Sequence, residues 1–141
     1  MTTVAYRDGV LAGDTKVTEG ETVVDDKQRK VYKLRDGCLY GFAGNLEDGL
    51  RLLRALRKDL DAHPSGLVEF SALLVYPDGE VGLYEGNTWV KQKGAYFAIG
   101  SGAVCALSAM DAGAGAVEAV KIGIKRDLRS GGRVMSVRLK K

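Results

Sequence analysis

The chain has 141 residues, enough for one compact domain with a full hydrophobic core. Its composition of 45% hydrophobic and 28% charged residues is ordinary for a globular protein, and a net charge of +3 is too small to indicate nucleic-acid binding. A single histidine, His63, excludes a metal centre built from several histidines and leaves one candidate for any histidine-dependent triad.

The N-terminal segment is predicted to form a β-hairpin. Strands at residues 2–7 and 10–13 flank Asp8-Gly9, a dipeptide favoured in tight turns because both of its positions tolerate a positive φ. Such a hairpin would hold the N-terminus rigidly and place Asp14 where its second strand ends. The polar residues 15–28 predict a loop with one short strand.

A second hairpin and a helix are predicted next. Strands at residues 30–34 and 38–43 flank the turn Asp36-Gly37, and alternation places Cys38, Tyr40 and Phe42 on one face. A helix is predicted from Asn45 to Ala62, with Asn45 as its N-cap. Leucines recur along it at helical spacing and predict a single core-covering face.

The rest of the chain predicts more antiparallel strands and two helices. The strands are expected at residues 68–76, 80–84, 88–90, 96–99 and 134–139, and the helices at residues 103–112 and 116–128. One turn between strands is expected at residues 85–87. Because strands and helices do not alternate regularly, we expect an α+β fold in which two antiparallel sheets pack face to face with helices outside.

The expected cellular location is inferred from features that the sequence does not contain. Cys38 and Cys105 lie in apolar surroundings without metal-ligand spacing, and no apolar run approaches the roughly 18 residues of a membrane span. No signal peptide is recognisable. We therefore expect a reduced, cytoplasmic protein that binds no membrane.

The first residues carry the candidate chemistry. Removal of Met1 would leave Thr2 with a free α-amine beside its own hydroxyl. An N-terminal amine, with an ordinary pKa of about 7.7–8, is a recognised base for activating a threonine hydroxyl. This pattern is weak by itself, and a cation, a carboxylate and an oxyanion hole elsewhere would be needed to strengthen it.

Motifs spread along most of the chain carry a family resemblance. The chain resembles proteasome β-subunits and the peptidase of the bacterial HslUV protease, both N-terminal-nucleophile hydrolases with a four-layer αββα sandwich. The matching segments, in chain order, are residues 2–4, 13–14, 29–31, 41–44, 98–102, 110–111 and 126–132. The Gly-Ser-Gly at residues 100–102 and the Arg-Asp-x-x-Ser-Gly-Gly at residues 126–132 are the most specific.

The resemblance implies a role for each of these positions. Thr2 would be the nucleophile, with its α-amine as the base, and Lys30 would favour the deprotonated hydroxyl while Asp14 keeps Lys30 charged and oriented. Outside such a site, that pair would be an ordinary surface salt bridge. The remaining expected site residues are Asp127, Ser130, Ser101, Gly44 and Phe42.

These remaining residues surround the expected nucleophile in different ways. Asp127 and Ser130 would hold the amine and its proton-shuttling water, and Ser101 would complete the hydrogen-bond network. Ser101 is also placed to be the N-cap of the next helix. The backbone N–H of Gly44 would form the oxyanion hole. Phe42 would form the base of the pocket for the side chain that precedes the cut, or else belong to the core.

The resemblance also implies partners, and the chain departs from the family at two places. The family would supply a homo-oligomeric ring that acts on peptides or unfolded proteins without a cofactor or metal. Only one helix is visible before Pro64, where the family has two, and one strand follows Gly132. One helical layer is therefore expected to be reduced. That layer contributes to docking in the family, so the sequence does not decide whether an ATPase unfoldase binds this protein.

Two alternatives remain at this point. A small-amide hydrolase would use the same nucleophile on another substrate. A non-catalytic assembly protein would keep the fold, and a retained Met1 would favour it because the base would then be locked in an amide bond.

Overall fold

Antiparallel strands form most of the computed structural model, which describes residues 2–61, 64, 67, 70–85 and 88–140. The strands in these residues are β1 (Val4–Arg7), β2 (Val10–Gly13), β3 (Val17–Glu19), β4 (Thr22–Asp25), β5 (Val31–Lys33), β6 (Leu39–Gly44), β7 (Phe70–Val75), β8 (Val81–Glu85), β9 (Thr88–Gln92), β10 (Tyr96–Ile99) and β11 (Met135–Arg138). The helices are α1 (Leu46–Leu56), α2 (Ala103–Asp111) and α3 (Ala116–Arg126).

The first sheet has the strand order β10-β1-β2-β11, so β1 lies inside the sheet, next to the N-terminus. Asp8 and Gly9 join β1 to β2 with φ angles of 51° and 80°, which confirms the predicted tight turn. Val4 pairs with Gly13 of β2 on one side and with Ile99 of β10 on the other. The residues just before Val4 are therefore anchored by the adjacent hairpin strand β2 and by β10, which is remote in sequence.

The second sheet has the order β5-β6-β7-β8-β9, and every neighbouring pair of its strands is antiparallel. This confirms the predicted second hairpin and the meander after it. The turn predicted at Gly86 and Asn87 lies outside the described residues, as do His63, Ser65 and Gly66.

Three apolar clusters stack the sheets and helices into four layers. One, which includes Val4, Leu11, Leu39 and Leu73, lies between the two sheets. Another joins α1 to the second sheet, and a third joins α2 and α3 to the first sheet. The predicted αββα sandwich is confirmed, and α1 is the only helix of its layer in the described part of the chain. Among the described helices, none is long and apolar enough to cross a membrane.

The region between residues 15 and 28 differs from the prediction. It holds two paired strands, β3 and β4, where one short strand was expected. All four β4 residues are exposed, with Val23 at 52% and Val24 at 59%. Without a buried face, this segment lacks the alternation of polar and apolar residues that identifies a strand.

The ends of two helices were also predicted wrongly. Helix α1 ends at Leu56 because the chain tightens there, with the Lys58 amide donating to the Ala55 carbonyl and the Asp59 carboxylate accepting from the Asp61 amide. The predicted end, Ala62, lies outside the described residues. Helix α3 ends at Arg126 because Asp127 turns to extended backbone, with φ −96° and ψ 121°.

Candidate active site

Thr2 lies directly before β1, and a glycine-rich turn holds its backbone. The Gly102 amide donates to the Thr2 carbonyl at 3.1 Å. A Cβ on Gly100, which has a φ of 97°, would lie 2.2 Å from the same carbonyl oxygen. A glycine is therefore required at position 100, where the chain leaves β10 and passes the Thr2 backbone.

A buried lysine contacts the Thr2 hydroxyl. The Lys30 ammonium donates to Thr2 Oγ1 at 2.9 Å, to Asp14 Oδ1 at 3.0 Å and to the Lys16 carbonyl at 2.6 Å. Three oxygen atoms match the three N–H groups of an ammonium, whereas a neutral amine would have only two. The structure thus brings together Thr2, Asp14 and Lys30, three of the residues predicted from the sequence.

Burial and a neighbouring charge have opposite effects on the pKa of Lys30, whose side chain is 3% exposed. Burial lowers the pKa of Lys30 below its ordinary value, and the charge and hydrogen bond of Asp14 oppose that change. Asp14 is itself fully buried and accepts from the amides of Thr3 and Gly131. A carboxylate with this many donors is well suited to hold a buried ammonium in place.

A second hydrogen-bonded chain leads away from the Thr2 nitrogen. That nitrogen donates to Ser101 Oγ at 3.1 Å, and both Ser101 and Ser130 lie 2.6 Å from Asp127 Oδ2 through their hydroxyl oxygens. Burial raises the pKa of Asp127, but hydrogen bonds from Ser101, Ser130 and the Arg129 amide outweigh it, and the pKa lies below its ordinary value. Asp127 is therefore a carboxylate at neutral pH.

Ser101 does not have the alternative role that its position allowed. The N-cap of α2 is Gly102, and no side chain caps that helix. The Ser101 hydroxyl is directed to Asp127 instead. The early end of α3 contributes to the same network. Because the backbone is extended at Asp127, its carboxylate can accept hydrogen bonds from Ser101 and Ser130.

The two other predicted residues line a cleft beside Thr2. The cleft has a volume of about 440 Å³, and its lining includes Thr2, Lys30, Phe42, Gly44 and Leu46. Gly44 has a φ of 116°, which favours glycine at the bend from β6 into α1. Phe42 is 1% exposed and also belongs to the core cluster under α1, so its side chain lies between the cleft and the core.

Two residues of the network were not identified from the sequence. Lys16 contributes its carbonyl to Lys30, and its own ammonium donates to the Leu128 carbonyl at 2.8 Å. The buried Thr3 hydroxyl lies 2.7 Å from Ser130 Oγ. A backbone carbonyl leaves no pattern in a sequence, but Thr3 could have been noticed as a polar residue entering a buried strand.

The side chains that bind metals are not grouped here. Among the described residues, no cluster of three or more His, Cys, Asp or Glu side chains could hold an ion. Cys38 and Cys105 are free thiols.

Comparison with known proteins identifies relatives of this chain. The family model described as Proteasome subunit matches residues 2–65. An ATP-dependent protease subunit HslV from Rhizorhabdus wittichii is 35% identical over 120 residues, covering 71% of this chain and 66% of the relative. The same-named subunit from Paramagnetospirillum magneticum is 44% identical over 59 residues, covering 41% and 32% respectively.

Solved structures share the fold. The crystal structure of eukaryotic HslV from Trypanosoma brucei superposes with a TM-score of 0.80 at 23% identity, covering 100% of both chains. In sequence, the chain spans roughly a third to two thirds of the length of the curated relatives it matches, with 34%, 32%, 66% and 40% for the first four.

Proposed function

Because the chain belongs to the proteasome family, with HslV-type peptidases among its relatives, we propose that it is a threonine-type endopeptidase. The nucleophile is Thr2 once Met1 has been removed. The observation that carries this proposal is the contact of 2.9 Å between the Lys30 ammonium and the Thr2 hydroxyl, buried beside a cleft.

The hydrogen bonds support different roles for two nitrogen atoms, that of the Lys30 side chain and that of the Thr2 α-amine. All three Lys30 N–H groups have oxygen acceptors, so Lys30 acts as a cation that stabilises a developing Thr2 alkoxide. The proton must go to another group, and the α-amine of Thr2 itself is the nearest base of suitable pKa. Ser101 accepts an N–H from that nitrogen, which orients the amine.

Each step then balances in atoms and protons. Thr2 Oγ1 attacks the peptide carbonyl carbon as its proton moves to the amine, and a tetrahedral oxyanion forms. The C–N bond breaks, the ammonium returns the proton to the leaving amine, and an ester of Thr2 remains. Water, deprotonated by the same amine, then attacks the ester carbon. The C–O bond to Thr2 breaks, the ammonium returns the proton to Thr2 Oγ1, and the acyl part of the peptide leaves as a carboxylic acid.

Gly44 and Phe42 take the two other roles in the proposal. Gly44 borders the same cleft as Thr2, and its backbone N–H is the proposed donor to the oxyanion. One such donor contributes about 2.7–4 kcal/mol in other enzymes. Phe42 forms an apolar, uncharged base for the pocket that receives the side chain before the cut.

Assembly and location belong to the same proposal. We infer one domain spanning residues 1–141, a homo-oligomeric ring that encloses the sites, peptide or unfolded-protein substrates, and no cofactor. The relatives are named subunits of ATP-dependent proteases, which supports an ATPase partner of unfoldase type. The two free thiols support a reducing, cytoplasmic location.

The state of the N-terminus tests the function. Two forms of the protein are compared, one beginning at Thr2 and one with a short uncleaved extension before it, after intact-mass verification. Only the first is expected to cleave fluorogenic peptides and to be acylated at Thr2 by an active-site probe. Thr2→Ala should lose both properties, and Thr2→Ser should keep part of them.

The pattern of results separates the rival functions. Full activity in the extended form would refute the amine as the base. Acylation of Thr2 without cleavage of any peptide would indicate a small-amide hydrolase. A folded protein that begins at Thr2 and is never acylated would be the non-catalytic assembly protein.

A further inference from the structure

We propose that Thr3 is a positioning residue for the Thr2 site, acting through Ser130 on Asp127. The kinetic part of this inference rests on the proposed function. Its structural part, the effect of the Thr3 hydroxyl on Asp127 through Ser130, can be measured without catalysis.

Thr3 joins the two hydrogen-bonded chains of the site. Its amide donates to Asp14 Oδ1 at 3.1 Å, and its carbonyl accepts from the Asp14 amide at 3.1 Å. Its hydroxyl lies 2.7 Å from Ser130 Oγ. One residue thus contacts the carboxylate that holds Lys30 and the serine that contacts Asp127.

The direction of the Thr3–Ser130 bond follows from counting protons. An ionised Asp127 can only accept, so the single Ser130 hydroxyl proton is used in the 2.6 Å bond to Asp127 Oδ2. Distance alone allows either hydroxyl to be the donor between Thr3 and Ser130. Since the Ser130 proton is already used, Thr3 must donate.

The surroundings of Thr3 leave its side chain little freedom. Thr3 is fully buried, and a Cβ on Gly102 would lie 1.8 Å from its hydroxyl oxygen. A Cβ on Gly123 of α3 would lie 2.6 Å from both its hydroxyl and its methyl group. Two glycines therefore make room for a threonine that is fixed in one orientation.

A chain of aligned donors has a chemical consequence. When Thr3 donates to Ser130, the Ser130 hydroxyl becomes a stronger donor to Asp127, because successive hydrogen bonds polarise one another. Asp127 also accepts a hydrogen bond from Ser101, and Ser101 in turn accepts one from the Thr2 nitrogen. Thr3 thereby fixes both the charge of Asp127 and the position of the group that orients the amine.

The variants are chosen to separate the hydroxyl from the packing. Thr3→Ser keeps the donor, Thr3→Ala removes it without crowding, and Thr3→Val replaces it with a methyl group. A methyl carbon packs at roughly 3.5 Å, so valine would also push Ser130 away from its 2.7 Å position. Thr88→Val, at an exposed position of β9, is the matched control.

Two measurements are made on every variant that begins at Thr2. The first is kcat and KM for a fluorogenic peptide as a function of pH. The second is the titration of the Asp127 carboxyl carbon by NMR, assigned by its loss in Asp127→Asn. Each is repeated in a Ser130→Ala background.

The expected result is specific to positioning. Thr3→Ala and Thr3→Val should lower kcat by roughly tenfold to a hundredfold with KM within about twofold, and should shift the Asp127 titration upward. Thr3→Ser should retain both properties, and Thr88→Val should not differ from the parent. In the Ser130→Ala background, loss of the Thr3 hydroxyl should have little further effect.

The opposite outcomes are equally clear. Unchanged Asp127 titration in Thr3→Ala, or an equal loss of kcat with Ser130 present and absent, would overturn the role of Thr3. If the parent protein cleaves no peptide while Thr3→Ala still shifts the Asp127 titration, the proposed function fails and the inference about Thr3 stands.

Discussion

The second carboxylate oxygen of Asp14 accepts a hydrogen bond of 2.9 Å from the Gly131 amide, across 117 residues of sequence. Its first oxygen binds Lys30 at 3.0 Å. One side chain therefore ties the lysine beside Thr2 to the loop that presents Asp127 and Ser130. Disturbing Asp14 should affect both halves of the site.

The Lys30–Asp14 pair should behave as one unit in catalysis. Lys30→Met and Asp14→Asn should each lower kcat/KM strongly, and the double variant should be little worse than either. Lys30→Arg should restore only part of the activity, because a planar guanidinium cannot make the same three contacts. Peptide cleavage is the measurement, with thermal unfolding as the check on folding.

An exposed ion pair provides the control for this experiment. Lys91 lies in β9 and Glu80 directly before β8, with side chains 72% and 52% exposed. Lys91→Met with Glu80→Gln should leave cleavage unchanged, since a solvent-exposed ion pair contributes little to the stability of the fold. Additive losses from Lys30 and Asp14 would show that these two act separately.

Phe42 and Gly49 should together set the size of the side chain accepted before the cut. A Cβ on Gly49 of α1 would lie 2.2 Å from the Phe42 ring, so Gly49→Ala should displace the ring toward the cleft. The pocket would then accept only smaller side chains before the cut, whereas Phe42→Leu should allow larger ones. Truncation of a buried Phe to Ala costs about 3–5 kcal/mol, so leucine is the safer change.

The assay for this prediction is a set of peptides that differ in the residue before the cut. The parent should favour small and medium apolar residues over charged ones, and each methylene that fits should change discrimination by about 1–3 kcal/mol. Profiles that coincide for the parent, Gly49→Ala and Phe42→Leu would assign Phe42 to the core alone.

Asp127 should contribute to stability in a pH-dependent way. Its folded pKa lies below its ordinary value of about 3.9, so its contribution is present at neutral pH and is lost as the pH falls from about 4 through the folded pKa. Asp127→Asn should therefore unfold at lower urea concentration at pH 7, and the difference from the parent should shrink below pH 4. The exposed Glu21→Gln is the control, and a constant difference at all pH values would contradict the prediction.

Assembly is expected to produce a closed ring. Small residues from Ala103 to Gly115 allow close packing of neighbouring helices, and an enclosed site would confine proteolysis. Native mass spectrometry at micromolar concentration should show a single homo-oligomer. Monomers under these conditions would refute the ring.

Local chemistry explains which parts of the fold could be predicted. Asp8-Gly9 marked its turn because few other dipeptides tolerate two positive φ angles, and Asn45 marked the start of α1 because its side chain accepts from the Asp48 amide at 3.0 Å. The end of α3 could not be predicted in this way. Asp127 leaves the helix to meet serines that are remote in sequence, and no local preference encodes that contact.

The site was predictable only as far as motifs reach. Residues near Thr2, Lys30 and Asp127 stood in recognisable patterns, and the structure brings them together. The Lys16 carbonyl belongs to the same network but leaves no pattern in the sequence. Thr3 could be noticed as a polar residue entering a buried strand, but its partner Ser130 could not be predicted, because that contact depends on how remote segments meet. The pairing of β3 with β4 was missed for a similar reason, since exposed strands lack a buried face.

The interior position of β1 also sets an order of events during synthesis. Thr2 is 2% exposed once β1 lies between β2 and β10, and β10 begins only at Tyr96. Until Tyr96–Ile99 has left the ribosome and paired, β1 has only β2 as its neighbour in the sheet. Thr2 is therefore expected to become buried late in synthesis, and any processing that needs an accessible Thr2 should precede that step.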